Sequence, residues 1–177
     1  MARYSQQIIH RLISESDNAT TTSIKGAKLE ELVKYIFNKI PGVTFYAKNI
    51  LDGLRAHELD VIFTNDTTRS KLPFLDYTLI TECKNTANRL SGHDTRWFIS
   101  KLQDRGLSSG ILISLSGITG IADGVSCAHS EVLNALTRDK IKVLLVDRNE
   151  IMNLRTTDEL VNILQTKLLK LTIERTL

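Results

Sequence analysis

Tyr77-Thr78-Leu79-Ile80-Thr81-Glu82-Cys83-Lys84 is the stretch whose alternation decides the fold. Successive side chains of a strand point to opposite sides. Leu79, Thr81 and Cys83 therefore share one face, and Glu82 and Lys84 share the other. Upstream, His57-Glu58-Leu59-Asp60-Val61-Ile62-Phe63-Thr64 alternates as well, with Leu59, Val61 and Phe63 on one side and Asp60 opposite. The segment between them, Asn65 to Asp76, is polar with one proline, as a hairpin loop is. Pairing the two segments brings Asp60 close to Glu82, so two carboxylates and one ammonium gather on one face.

The pattern extends outward in both directions. Tyr4, Ile8, Ile9, Leu12 and Ile13 recur at helical spacing and predict an amphipathic helix over 3–15. A polar stretch, Ser16 to Ser23, follows. Ser23 is placed to cap a second helix with the stripe Leu29, Leu32, Val33, Ile36, Phe37 and Ile40, which Pro41-Gly42 stops. Val43 to Ile50 reads as a mixed extended segment. Gly92 to Arg105 reads as a helix with Trp97, Phe98 and Leu102 inward. Gly110 to Leu115 and Ile141 to Val146 are short apolar runs that predict buried strands. Ser116 to Gly120 is a loop, a helix runs from about Ile121 to Thr137, and Asp158 to Leu171 closes as a helix on Leu160, Ile163, Leu164 and Leu168. The order α-α-β-β-β-α-β-α-β-α predicts an α/β domain with a mixed sheet, a meander followed by crossover units. Within one domain, 1–22 is an N-terminal helix and polar linker, 23–150 the core, and 151–177 a C-terminal helical extension.

Composition bounds the function. A chain of 177 residues that is 42% hydrophobic can bury one sizeable core. With 24% charged residues and no excess of Gly or Pro, disordered and fibrous classes are excluded. A net charge of +3 and a pI near 8.9 permit a nucleic-acid partner without demanding one. Two cysteines, Cys83 and Cys127, are too few for a disulfide framework and point to a reduced compartment. The N-terminus carries no apolar signal region and no run is long enough to span a bilayer, so a soluble, cytoplasmic protein without membrane partners is expected. The sequence holds neither a Walker-type loop nor a dinucleotide fingerprint, so no nucleotide cofactor is expected.

Carboxylates beside a lysine suit phosphodiester hydrolysis. The reaction needs charge neutralised on a phosphorane-like transition state and an activated water, and a hard divalent cation supplies both. Mg²⁺ is held by one or two carboxylates plus waters and substrate oxygens. Lys84 beside such a cation is expected to have a lowered pKa and to position or deprotonate the water; equally, it can stabilise the phosphate as a fixed charge. Glu-x-Lys alone is a common tripeptide, usually a solvated pair on an exposed strand. The apolar strand around it and the Asp on the neighbouring strand raise its significance. Helical phase adds a further acid. Glu30 lines up with Gly26, Val33 and Phe37 at the flank of the apolar stripe, whereas Glu31 lines up with Lys28, Lys34 and Asn38. Glu30 is therefore expected partly buried against the sheet, as a metal-site acid or as a capping or salt-bridge residue.

Four segments, in order, carry a family resemblance: Lys25-Gly26-Ala27-Lys28-Leu29-Glu30-Glu31-Leu32, Glu58-Leu59-Asp60-Val61-Ile62, Glu82-Cys83-Lys84-Asn85, and Gly110-Ile111-Leu112-Ile113-Ser114 with Ser116-Gly117-Ile118-Thr119-Gly120. Over roughly residues 25 to 150 the chain resembles the PD-(D/E)xK nuclease superfamily and, within it, Mrr-type restriction endonuclease domains. The resemblance implies a restriction-endonuclease-like three-layer fold, a mixed central sheet flanked by helices. It implies a DNA endonuclease using Mg²⁺ or Mn²⁺ in restriction or defence. Asp60 and Glu82 would be metal ligands, joined by the backbone carbonyl of Cys83; Lys84 would be the catalytic lysine and Glu30 an accessory acid. Leu59 stands where the superfamily's name has Pro. Glu82 stands where many Mrr-type domains have Gln, which favours activity. Only short helices flank the core, so the resemblance leaves the recognition site open.

Arg89, His93, Arg96, Lys101 and Arg105 follow the lysine strand and suit phosphate contacts, or form a solvated face laced with Asp94 and Asp104. Ser116 and Thr119 can donate to a phosphate, though a plain turn explains the loop as well. Lys25, Arg89, Arg96, Ser116 and Thr119 are the candidate DNA contacts. Cys127-Ala128-His129 lacks a second Cys/His pair at zinc spacing, so Cys127 reads as a core thiol. The leading hypothesis is a nuclease on double-stranded DNA, acting as a homodimer through the stripe of 3–15 or 158–171 unless those helices cover the core. A Holliday-junction-resolvase-like nuclease shares the same strands and helix acid. A non-catalytic DNA-binding module would be marked by loss of Asp60, Glu82 or Lys84, all of which are present.

Overall fold

Two helices, α1 (Gln6–Asp17) and α2 (Thr22–Phe37), lead into a five-stranded sheet in the computed structural model, which describes residues 1–51, 58–120 and 127–177. The strands β1 (Val43–Leu51), β2 (Glu58–Asn65) and β3 (Thr78–Lys84) form an antiparallel meander. Then β4 (Ser109–Ser114) and β5 (Lys142–Asp147) join parallel to β3. The crossovers are α3 (Gly92–Gln103) and α4 (Ala128–Asn134), the latter continued by a π-helical turn, Ala135–Asp139. After β5 come α5 (Arg148–Asn153), α6 (Thr157–Leu169) and a final π-helical turn, Lys170–Glu174. The spatial order β1-β2-β3-β4-β5 follows the sequence. The expected α/β architecture with a mixed sheet is what forms. His57 and the start of the helix expected from Ile121 lie outside the described residues.

Alternation assigns the faces. Phe63 pairs with Leu79 and stacks on Phe37 of α2, with ring centroids 5.5 Å apart. Leu59, Val61, Thr81 and Cys83 point to this same side. Gly110 lies on the other side, where a Cβ would stand 2.7 Å from both Leu102 and Phe98 of α3. The helices thus cover both faces, α2 on one and α3 on the other. The absence of a side chain at Gly110 lets α3 sit close to the sheet.

Several boundaries move for identifiable reasons. Residues 3 and 4 leave the first helix because Arg3 bridges Thr156 and the Tyr4 amide donates to the Arg155 carbonyl at 2.8 Å. The buried Tyr4 hydroxyl then donates to the Ile36 carbonyl at 2.9 Å. Thr21, not Ser23, caps α2 by accepting from the Ile24 amide. Asp147 starts the unexpected α5 with a capping box on Glu150. The stripes of α1 (Ile9, Leu12, Ile13) and α6 (Leu160, Val161, Leu164) are buried in the chain's own core. Trp97 is corrected from inward to 48% exposed, while Phe98 and Leu102 are fully buried. The helix is rotated so that Thr95, Phe98, Lys101 and Leu102 face the sheet.

The β2–β3 loop is fastened from inside. Buried Asn65 donates to the carbonyls of Leu72 (3.0 Å), Leu75 (3.4 Å) and Asp76 (3.2 Å) and accepts from Ser70. Gly42, at φ +82°, packs against that loop: a Cβ there would stand 2.6 Å from the Ser70 nitrogen. Asp76 then clamps the loop to β4, accepting from the Ser108 amide (2.7 Å), the Ser108 hydroxyl (2.7 Å) and the Ser109 amide (2.8 Å). Burial opposes the Asp76 charge, but these donors hold its carboxyl below the usual range.

Gly42→Ala meets both a positive φ and a backbone clash, so denaturant unfolding should show a loss of about 1 kcal/mol or more. Because the native Asp76 pKa is lowered, its contribution is complete above the unfolded carboxylate pKa of about 4 and is lost as pH falls through the native value. The stability gap between wild type and Asp76→Asn, measured by urea unfolding, should therefore be widest near neutral pH and narrow in acid.

Candidate active site

The β2–β3 register pairs Val61 with Thr81, and one further step sets Asp60 level with Glu82. Both carboxylates point to the α3 face, as does Lys84 two residues on. The hairpin therefore gathers Asp60, Glu82 and Lys84. Lys84 Nζ lies 3.1 Å from Glu82 Oε1. Asp60 Oδ2 accepts from the Cys83 amide at 2.7 Å, which fixes its carboxylate across the strand pair.

A fourth member comes from α3. Lys101 Nζ stands 2.6 Å from Glu82 Oε2, and both residues are buried, Lys101 to 4% and Glu82 to 1% relative exposure. Sequence reading had offered Lys101 as a phosphate contact or a solvated cation. The structure corrects both: it is an internal ion-pair partner. The signal was present in the helical phase, since 101 falls three residues after Phe98 and one before Leu102, inside the apolar arc. The close seat of α3 on Gly110 brings the ammonium within reach.

The electrostatics follow from this packing. Burial first, and the Glu82 charge second, push the Asp60 carboxyl up to about 7, against the Cys83 amide and the two lysines. Burial works against the Lys84 ammonium, yet Glu82, then Asp60 and Asp94, carry its pKa upward. The neighbours that raise Lys84 are carboxylates; the lowering expected of it concerns the site with a cation bound. The Cys83 thiol, buried on the opposite face, is pushed well up by burial and then by Asp60, Glu82 and Glu30.

Glu30 is buried and Glu31 exposed, as helical phase predicted. Its partners lie on β1: Asn49 Nδ2 donates to Glu30 Oε2 at 3.0 Å, and Lys48 Nζ lies 3.4 Å from the same oxygen. Asn49 has φ +54°, and the register places it level with Asp60. Glu30 thus stands at the same end of the sheet but on the α2 side, tied to β1 rather than to Glu82.

The expected phosphate contacts fare unevenly. Arg96 lies 2.5 Å from Glu131 of α4. Ser116 donates to the Asn88 carbonyl at 2.9 Å. Thr119 donates to the Leu90 carbonyl at 3.0 Å and accepts from the Ala128 amide at 2.9 Å. These hydroxyls fasten the loop, as a plain turn requires. Arg89 is exposed, and Lys25 is half-buried in α2 with its charge felt at Asp17. Sequence reading missed the neighbouring clamp: Asn85 donates to Ser16 (2.7 Å), and Arg148 holds Asp17 through two contacts of 2.8 Å. Both residues follow the carboxyl ends of their strands.

Comparison with family models, curated proteins and solved structures finds no match for this chain.

Removing one partner of a buried ion pair leaves the other charge stranded. Lys101→Ala should cost about 3 kcal/mol in chemical denaturation, the low end of the usual range because Lys84 still holds Oε1. A Glu82→Gln/Lys101→Met double variant should lose less than the sum of its single changes, showing the coupling directly.

Proposed function

We propose that the chain is a metal-dependent nuclease acting on DNA in the cytoplasm, with its site at Asp60, Glu82 and Lys84. The observation that carries this reading is the hairpin register, which sets the half-buried Asp60 carboxylate level with the buried Glu82 carboxylate on one face, with a lysine beside them. Among the described residues no three His, Cys, Asp or Glu side chains are grouped for a metal. Mg²⁺ does not need three, since one or two carboxylates with waters and phosphate oxygens suffice. Asp60 and Glu82 would hold it through their carboxylates, with the Cys83 carbonyl on the same strand a further donor. The ion would polarise the phosphate and acidify a bound water.

The chain's own groups have separable tasks. Asp60 is pre-set by the Cys83 amide, so little reorganisation precedes binding. The Lys84 side chain is 30% exposed against 2% for Glu82, so it is the member of the pair that can reach a phosphate oxygen. As a fixed cation there, it stabilises the charge that builds in the transition state. Glu30, through Asn49, braces the β1 segment level with Asp60. Cutting both strands needs two copies of the site, which a homodimer supplies. Restriction or defence fits such an activity. No helix among the described residues is long and apolar enough to cross a membrane, which suits a DNA substrate.

Supercoiled plasmid incubated with Mg²⁺ or Mn²⁺ should be nicked or linearised, and EDTA should abolish cleavage. Asp60→Asn and Lys84→Ala should reduce the rate by about a hundredfold or more while the fold, read by circular dichroism, is kept. Retention of plasmid without cleavage, identical in wild type and variants, would instead identify a binding module. Preferential cutting of four-way junctions over linear duplex would favour the resolvase-like alternative.

A further inference from the structure

Lys101 has no task in that reaction scheme, yet it is among the most constrained polar groups of the molecule. Its side chain is 4% exposed, and its ammonium lies 2.6 Å from Glu82 Oε2. The other oxygen of Glu82 faces Lys84 Nζ at 3.1 Å. Glu82 is thus held between two ammonium groups, with Asp60 level with it on the neighbouring strand. Lys84 sits at the partly open side and can turn toward solvent. Lys101 cannot, because α3 is seated on Gly110 with Phe98 and Leu102 against the sheet.

We propose that Lys101 is a built-in counter-ion that competes with a divalent cation for Glu82 and so sets the cation affinity of the site. The inference rests on the reading of Asp60 and Glu82 as metal ligands. A fixed positive charge in contact with one of the two ligands opposes a second cation at close range in a poorly screened place. The site therefore has weak intrinsic affinity for Mg²⁺ or Mn²⁺. Negative charge from a bound phosphate backbone offsets that repulsion, so cation and DNA bind with positive, reciprocal coupling.

The test is Mn²⁺ binding without DNA, followed by calorimetry and by the Mn²⁺-induced rise in melting temperature. The proteins are wild type, Lys101→Met, Lys101→Gln, Lys101→Arg and Glu82→Gln, each checked for native circular dichroism. Lys101→Met and Lys101→Gln should bind Mn²⁺ about tenfold tighter or more and show the larger thermal shift. Lys101→Arg, which keeps the charge, should stay near wild type, and Glu82→Gln should abolish binding. Should Lys101→Met be too unstable, Lys101→Gln, which retains a hydrogen-bond donor to Glu82, gives the same reading. If the folded neutral variants bind no tighter than wild type while Glu82→Gln still abolishes binding, the counter-ion role is overturned and the metal site stands. If none of the proteins binds Mn²⁺, or if Glu82→Gln binds unchanged, the metal reading falls and the inference with it.

Discussion

The Glu82 carboxylate is the constraint around which the sheet and α3 are arranged. A carboxylate at 1% exposure is costly without partners, and the chain supplies one from the same strand and one from the crossover helix. The strand partner costs nothing topologically, because i and i+2 share a face. The helix partner fixes the rotation of α3: once Lys101 points at Glu82, Phe98 and Leu102 must lie on β4 and Trp97 must turn outward. Gly110 then follows as the residue that makes room. A single buried charge thus links a β-hairpin, a helix phase and a glycine.

The same logic separates the two acids that the sequence placed near the site. Asp60 is held from its own sheet by the Cys83 amide, so its position is a property of the hairpin. Glu30 comes from α2 and is held by Lys48 and Asn49 of β1, so its position depends on how that edge strand is bent. Asp60 and Glu82 are therefore positioned as one unit and Glu30 as another.

Much of this was legible before any coordinates. Period-two alternation put Asp60, Glu82 and Lys84 on one face, and helical phase separated Glu30 from Glu31, because both signals are local and geometric. The meander followed by parallel crossovers was readable for the same reason. The full set of charges around Lys84 and the role of Lys101 were not. Each depends on which charges meet across elements distant in sequence, and a lysine inside an apolar arc looks like an error of phase until its carboxylate is known. The Thr21 cap and the withdrawal of Arg3 and Tyr4 from α1 depend on similar long-range contacts. The short α5 was a different omission: its capping box, Asp147 with Glu150, was local and went unread.

The irregular β1 has a consequence for the behaviour of the protein in concentrated solution. It is one of the two border strands, and it leaves Tyr46, Ile50 and Leu51 at 68%, 37% and 57% exposure. A flat border of that kind is a template on which other chains stack into aggregates. Here the register slips between Phe45 and Ala47, and Asn49 turns to positive φ two residues before the end of the described strand. The border is broken twice within nine residues, and Lys48 adds a charge between the breaks. The bend that Glu30 holds in place thus also acts as a guard against edge-to-edge association, so loosening it should be felt first as a loss of solubility.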